Sequence, residues 1–263
     1  MRIATWNVNS LKARMPRVEE WLAEMEPDVL CLQETKLSDE AFPALAFEAL
    51  GYESVHHGQG QWNGVAILSR VGITGATNGF DDGDEPDPDA RAITATCGGV
   101  RVTSVYVPNG RTLDDDHYTY KLRWLERLRR VAAEHADEPT VICGDFNIAP
   151  DDRDIWDPAA FVGSTHVSAP EREAFEALLE CGFTDALRAR HGDVGLYTYW
   201  DYRDGNFHKK KGMRIDHLLV SRPLAEHLRF VFVDRNARKG SKPSDHTAAI
   251  VELAWAPAEE AAA

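Results

Sequence analysis

Residues 1–36, MRIATWNVNSLKARMPRVEEWLAEMEPDVLCLQETK, hold two hydrophobic periods in succession. Met1–Trp6 and Pro27–Leu32 are short, apolar and rich in strand formers. Between them Pro16 suits a first helical position, and Val18, Trp21, Leu22 and Met25 then recur on one helical face. A strand, a helix and a strand in that order predict an α/β architecture.

The same alternation continues outward. Gly64–Leu68, Arg91–Cys97 and Val100–Val107 are β-branched runs with no helical pattern between them, and they predict an antiparallel stretch of sheet. From Asp114 to about His135 a helix is expected, because Leu122, Leu125, Leu128 and Val131 repeat every three residues. Acids open it and Arg129 and Arg130 come late, as the helix dipole favours. Thr140–Cys143 reads as a strand running into Gly144-Asp145-Phe146-Asn147, and Glu171–Cys181 as a helix closed by Gly182. Tyr197–Tyr202, Arg214–Val220 and Thr247–Leu253 read as late strands. Two halves of similar make-up fit two sheets packed face to face with helices outside.

Size and composition narrow the class. A chain of 263 residues that is 43% hydrophobic is expected to form one domain over residues 1–255, with 256–263 a flexible tail. Disordered, collagenous and disulfide-stapled classes are excluded. The formal charge of -14 argues against a polyanion binder that works through a generally basic surface. Yet His208–Lys242 holds ten Lys or Arg against three acids, so any grip on a polyanion is local. The four cysteines show no metal-ligand spacing and are expected to be reduced and mostly buried. The N-terminus lacks a secretion signal and no apolar run is long enough for a membrane span, so a cytoplasmic location without membrane contact is expected. The acidic run Asp81–Asp89, broken by Gly83, Pro86 and Pro88, reads as a solvated loop in preference to a calcium site.

Acids and amides concentrate where strands end: Asn7 and Asn9, Gln33-Glu34-Thr35, Gly144-Asp145-Phe146-Asn147, Arg214-Ile215-Asp216-His217 and Ser244-Asp245-His246. Each has an ordinary explanation by itself. Glu34 could be a solvated strand-end acid, the 144–147 run a tight turn, and Asp245-His246 a cap. Asp216, however, interrupts an apolar strand, where a charge needs a partner or a cation. Together the five clusters predict one shared site at converging strand ends, and their oxygen donors suit magnesium or manganese better than zinc.

These residues resemble the exonuclease III family of DNA repair nucleases, within the endonuclease/exonuclease/phosphatase superfold. The likeness runs through Thr5-Trp-Asn-Val-Asn-Ser-Leu, Leu32-Gln-Glu-Thr-Lys36, Asn63-Gly-Val-Ala-Ile-Leu, Val105-Tyr-Val-Pro-Asn-Gly110, Gly144-Asp-Phe-Asn-Ile-Ala-Pro150 and Pro170-Glu-Arg-Glu173. It continues through Trp200-Asp-Tyr-Arg203, Arg214-Ile-Asp-His-Leu-Leu219 and Lys242-Pro-Ser-Asp-His246. It implies a four-layer α-β-β-α sandwich of two mixed sheets flanked by helices. It also implies a magnesium-dependent (or manganese-dependent) hydrolase that cuts duplex DNA 5′ to abasic sites, with 3′–5′ exonuclease and 3′-end-cleaning activity.

By that resemblance Glu34 is the main metal ligand, with Asn7 beside it and Asp245 an associated or alternate ligand. Asp145 orients and deprotonates the attacking water, and Asn147 bonds water or phosphate. His246 binds a phosphate oxygen, Asp216 orients the His246 ring, and Tyr106 donates to phosphate or to the leaving oxygen. Asn9 and Asn109 lie near phosphate and sugar. Tyr199, Trp200, Met213 and Ile215 line an apolar pocket for a deoxyribose without its base, with Met213 where many relatives carry Trp or Leu. Beyond the resemblance, Phe161–His166 is expected to border the DNA, with His166 affecting access to internal sites. The local basic charge of Lys209–Lys211 and Arg235–Lys242 is expected to face phosphates, a solvated basic face being the alternative for the lysine triplet. The expected partner is double-stranded DNA with abasic or blocked 3′ ends, and the expected state is a monomer. The alternatives are another phosphoesterase of the same superfold, or a damaged-DNA binding module. The binding module would call for a broken catalytic set, whereas Glu34, Asp145, Asn147, Asp216 and His246 are all present.

Overall fold

In a computed structural model that describes residues 1–256, the predicted tail from residue 257 onward lies outside the described residues. The first half contains β1 (Arg2–Asn7), α1 (Leu11–Met25), β2 (Val29–Gln33), α2 (Ala44–Glu48), β3 (Glu53–His57), β4 (Val65–Ser69) and β5 (Thr74–Asn78). Then come β6 (Ala92–Cys97), β7 (Val100–Tyr106), α3 (Asp116–Glu134), β8 (Thr140–Asp145), α4 (Ala169–Glu180), β9 (Phe183–Asp185) and α5 (Ala186–Arg190). β10 (Asp216–Ser221), α6 (Arg222–Ala225), β11 (Leu228–Val233) and β12 (Ala249–Leu253) complete the order.

The strands form two six-stranded sheets, β11-β12-β1-β2-β4-β3 and β5-β6-β7-β8-β10-β9. Each has one parallel pair at its centre, β1 with β2 and β7 with β8, and antiparallel pairs elsewhere. The two-residue period of a strand decides what each face buries. Ile3, Val29, Cys31, Val65 and Ile67 of one sheet meet Val100, Val102, Val141, Cys143, Leu218 and Val220 of the other. On the opposite face of the first sheet Ala4, Trp6, Leu30 and Leu32 pack on Val18, Trp21 and Leu22 of α1. On the outer face of the second sheet Val105, Ile142 and Leu219 pack on Trp124, Leu125 and Leu128 of α3 and on Phe175 and Leu178 of α4. This is the four-layer α-β-β-α sandwich of two mixed sheets that the resemblance implies.

Several local expectations need correction. Gly64–Leu68 does not continue the sheet of Arg91–Val107: β4 pairs with β2 and β3 in the first sheet, whereas β6 and β7 belong to the second. Pro16 does not open α1 but sits inside it, five residues after Leu11. The early start is tertiary, since Ser10 N and Leu11 N donate to Glu34 O and Thr35 O at 2.7 and 3.0 Å, satisfying amides that a helix start leaves free. Tyr197–Tyr202 is a connector, not a ladder strand. Tyr199 bridges to both Met213 and His246, so its backbone is divided between two neighbours. Four strands go beyond the sequence expectations: β3 and β5 are polar edge strands without clean alternation, β9 has three residues, and β11 is a short apolar run after a helical turn.

The acidic 81–89 loop is more engaged than a solvated loop. Asp82 accepts from Arg127 at 2.8 Å and from Arg130 at 3.2 Å, and Asp87 accepts from the Tyr120 hydroxyl at 2.8 Å, all on α3. Its carboxylates thus clasp that helix. All four cysteines are free, with Cys31, Cys97 and Cys143 buried, and burial lifts the Cys97 thiol to about 12. Among the described residues no helix is long and apolar enough to cross a membrane.

A buried charged network underlies β10. The Arg214 guanidinium reaches Asp154 through two bonds of 2.7 and 2.9 Å and Asp185 at 2.8 Å, and donates to His217 Nδ1 at 2.8 Å. His217 Nε2–H then donates to Ile148 O at 2.8 Å. Burial, aided by Arg214, holds this imidazole neutral at about 4 against the usual 6.5. Because the unfolded chain takes up that proton first, stability is full above pH 6.5 and falls as pH drops toward 4. The contribution of His217 to that loss is at most about 3 kcal/mol, and His217→Gln should flatten this acid limb in urea titrations collected across the interval.

Gly144 sits where β8 runs beside β7, at φ 149°, and a Cβ there would lie 1.9 Å from Val105 O. Backbone cannot retreat as a flexible side chain could, so Gly144→Ala should cost on the order of 3 kcal/mol or more, read as a lower urea midpoint with unchanged slope.

Candidate active site

The inward faces of the central strands change character toward one end of the sandwich. Behind the apolar seam lies a belt of neutral polar groups: Thr5 Oγ1 donates to Gln33 Oε1 at 3.2 Å, and Gln33 Nε2 donates to Ser104 Oγ at 3.0 Å. Beyond it, on the same parity, come Asn7 of β1, Tyr106 of β7, Asp145 of β8 and Asp216 of β10. Asp216 stands directly opposite Asp145 in the antiparallel register. Glu34 follows the last residue of β2, and Asp245 and His246 precede β12. The antiparallel partners β10 and β12 therefore begin where β1, β2, β7 and β8 finish. That is why five clusters scattered along the chain meet at one mouth.

Asn7 Nδ2 donates to both Glu34 Oε1 and Asp145 Oδ2, at 2.9 Å each, and so ties the two sheets together at the site. Asn147 N donates to Asp145 Oδ1 at 2.9 Å, fixing the second carboxylate oxygen. His246 Nδ1 lies 2.8 Å from Asp216 Oδ2, and its Nε2 lies 3.7 Å from Asp145 Oδ2. The buried charge in β10 thus has the partner it required. Glu34, Asp145 and His246 bring ligand atoms within 4.8 Å of one another. Asp245 stands at one remove, accepting from Asn9 Nδ2 at 3.0 Å. Lys36 Nζ, absent from the sequence expectations, reaches Glu34 Oε2 at 2.9 Å and Asn9 Oδ1 at 2.5 Å.

The backbone around the mouth is unusual. Asn9, Glu34, Lys36, Asn147 and His166 all have positive φ, between 44° and 76°. Side chains other than glycine pay for that conformation, and clusters of it mark positions where function outweighs local comfort.

Electrostatics separate the titratable groups. Burial, reinforced by Asp216 and Glu34 against the opposing pull of His246, lifts the Asp145 carboxyl to about 7. His246 is raised too, but toward its charged form: burial opposes that charge, and Asp216, Asp145 and Asp245 outweigh burial and raise it to about 10. It is therefore an imidazolium with both ring nitrogens donating, which makes it a poor metal ligand and a good partner for an anion. Burial also opposes the charge on Glu34, yet Lys36 and the Asn7 amide hold it below its usual value. The Tyr106 ring lies under the Arg91 guanidinium at 4.9 Å, and burial with the Glu34 and Asp145 charges raises its hydroxyl well above 10, so it keeps its proton.

The substrate-side expectations divide. Tyr199 packs 4.9 Å from the His246 ring and joins Met213, Ile215, Ala149 and Ile155 in one apolar cluster. Trp200 does not join it. Its indole is 1% exposed and packs edge-on against Phe207 at 5.1 Å, so it supports the neighbouring loop from within. Asn109 Nδ2 donates to Asn147 Oδ1 at 3.2 Å, and His166 Nε2 lies 3.1 Å from the same oxygen. One Asn147 amide proton is committed to Val107 O at 2.9 Å, leaving the other available.

Comparison with known proteins agrees with this geometry. Residues 4–246 match the Endonuclease/Exonuclease/phosphatase family. Exodeoxyribonuclease III of Haemophilus influenzae is 33% identical over 94% of this chain and 97% of its own. The 3′ phosphatase NExo from Neisseria, solved with a product DNA hairpin, is 43% identical over 97% of this chain and 100% of the other, with a TM-score of 0.94. An AP endonuclease from Archaeoglobus fulgidus is 37% identical with the same coverage and a TM-score of 0.93. A family match over residues 4–246 and relatives covering 94 to 97% of the chain show that it belongs to the endonuclease/exonuclease/phosphatase family, among its exonuclease III and AP endonuclease phosphodiesterases.

Proposed function

We propose that this enzyme is a magnesium-dependent DNA repair nuclease that hydrolyses the phosphodiester 5′ to abasic sites and removes nucleotides or blocking groups from 3′ ends. The observation that carries the reading is the Glu34–Asn7–Asp145 bridge set against the Asp216–His246 pair. It offers hard anionic oxygen on one side of a mouth and a fixed cation on the other.

The donor set fits a divalent cation. Two carboxylates converge on one amide, and Asp145, raised chiefly by burial and further by the Asp216 and Glu34 charges, sits where a cation would favour its ionised form. Glu34 and Asp145 would hold it with the Asn7 amide beside them and Asp245 as the alternate ligand, and manganese would serve in place of magnesium. Such an ion, when bound, stabilises charge building on phosphate oxygen.

The chain's own groups do the rest. Asp145 accepts a proton from the attacking water, and the Asn7 and Asn147 amide donors, at 2.9 Å each, fix the carboxylate that receives it. His246 Nε2–H donates to a non-bridging phosphate oxygen while Asp216 holds the opposite edge of the ring. Tyr106 and the remaining Asn147 amide proton supply further donors, and Asn9 and Asn109 flank them. The Tyr199, Met213 and Ile215 cluster offers an apolar wall to a sugar without its base, which enters at lower unstacking cost than a paired nucleotide. Within Lys209–Lys211 and Arg235–Lys242, the exposed Lys209, Lys210, Arg235, Lys239 and Lys242 supply a local grip on duplex phosphates despite the acidic whole.

A specific observation favours 3′-end processing over internal incision. The His166 ring contacts both Asn109 and Asn147 at the mouth, and in this reading it obstructs a strand that continues past the site while leaving room for one that ends. Replacing it by His166→Ala should raise cleavage at internal abasic sites relative to 3′-end removal by about tenfold, measured as a ratio on matched duplexes. An unchanged ratio rejects the assignment.

The function is tested with labelled duplexes carrying an internal abasic analogue, a 3′ phosphate, or neither, with magnesium and with chelator. Cleavage at the analogue or release at the 3′ end, only with the cation, is the expected result. Binding without cleavage would instead support a damage-recognition module. Asp145→Asn should lower turnover by at least about a thousandfold with DNA affinity kept within a few-fold.

A further inference from the structure

Lys121 and Glu171 are both fully buried, on α3 and α4 respectively, and their ammonium and carboxylate are in direct contact. A buried ion pair recovers its desolvation cost only when every remaining hydrogen-bonding position is filled, and replacement by neutral groups of similar size is often tolerated. Stability alone is thus a weak reason for this pair. What the pair touches is more telling. Lys121 Nζ donates to Asn147 O at 2.7 Å and to Asn109 O at 3.3 Å. Glu171 Oε1 accepts from His166 N at 2.9 Å, and Oε2 accepts from Ser168 N and Ser168 Oγ at 3.1 and 2.6 Å.

Asn109, Asn147 and His166 come from three separate loops, and their side chains meet one another at the mouth. Their backbones meet at this one buried pair. Asn147 and His166 moreover adopt φ 51° and 76°, in the left-handed region that non-glycine residues enter at a cost. The stem of Lys121 packs beneath Gly110, close enough that a Cβ there would lie 3.2 Å from Lys121 Cδ.

We infer that Lys121 and Glu171 are a positioning pair for phosphodiester hydrolysis, setting Asn147 against the reacting phosphate and Asn109 and His166 around it. The inference rests on the functional reading above and adds the device that holds one wall of the site. Neither residue touches substrate. The double variant Lys121→Met/Glu171→Gln keeps the volumes and leaves no uncompensated charge. It should stay folded while kcat falls on the order of a hundredfold and KM stays within about threefold. In an Asn147→Ala background the same double change should cost less than about threefold more, because the residue it positions is gone. Glu171→Gln alone, which leaves Lys121 its two carbonyl contacts, should show the same kcat-only loss at about tenfold.

A folded double variant with kcat within about twofold of wild type overturns the inference, as does a loss undiminished in the Asn147→Ala background. An unchanged kcat in Glu171→Gln does so without depending on the double variant. If wild type cleaves neither duplex, or Asn147→Ala turns over normally, the functional reading itself fails and takes the inference with it.

Discussion

The amide of Asn7 donates to one carboxylate on its own sheet and to another on the facing sheet, and the arrangement of the mouth follows from that double bond. Two negative groups this close repel unless something positive or proton-donating stands between them. One side-chain nitrogen carries two protons, enough to satisfy both acids and to register the sheets against each other where the apolar seam stops. Everything chemically reactive is placed relative to that point: His246 beyond Asp145, Asp216 behind His246, and Tyr106 on the neighbouring strand.

Negative charge at the mouth is balanced unevenly, and the imbalance is useful. Asp216 has one oxygen on His246 and the other buried without a partner, which keeps the imidazolium strongly favoured. Asp145 receives two hydrogen bonds, yet its surroundings still press it toward its neutral form. A carboxyl and an imidazole both raised above their ordinary values, the first toward its neutral form and the second toward its charged form, are prepared for proton transfer beside an anion. The acidic surplus elsewhere on the chain is engaged in part by structure, since the 81–89 loop spends its carboxylates on the arginines of α3.

Much of this was legible in residue order. The strand-helix-strand opening, the long α3, the placement of acids and amides at strand ends and the need of Asp216 for a partner all follow from periodicity and desolvation cost. Other parts were not. Lys36, Lys121 and Glu171 look like ordinary surface charges in a sequence, because nothing local distinguishes a lysine that will be enclosed from one that will be solvated. Trp200 shows the converse: an aromatic residue beside the site by sequence turns its ring into the protein interior, a choice made by Phe207. Pro16 was a sound marker of a helix, but the start of that helix was decided by the carbonyls of Glu34 and Thr35.

The amino-acid order by itself determined which residues alternate, which helices are amphipathic and which side chains can carry metal, proton or phosphate chemistry, since these depend on neighbours within a few positions. Tertiary structure decided which sheet received β4, how Tyr199 divides its backbone between two segments, and which distant charges became the buried pair under Asn147. Those outcomes depend on groups well separated along the chain, 50 residues in the case of Lys121 and Glu171, competing for the same hydrogen bonds, and only the closed sandwich brings the competitors together.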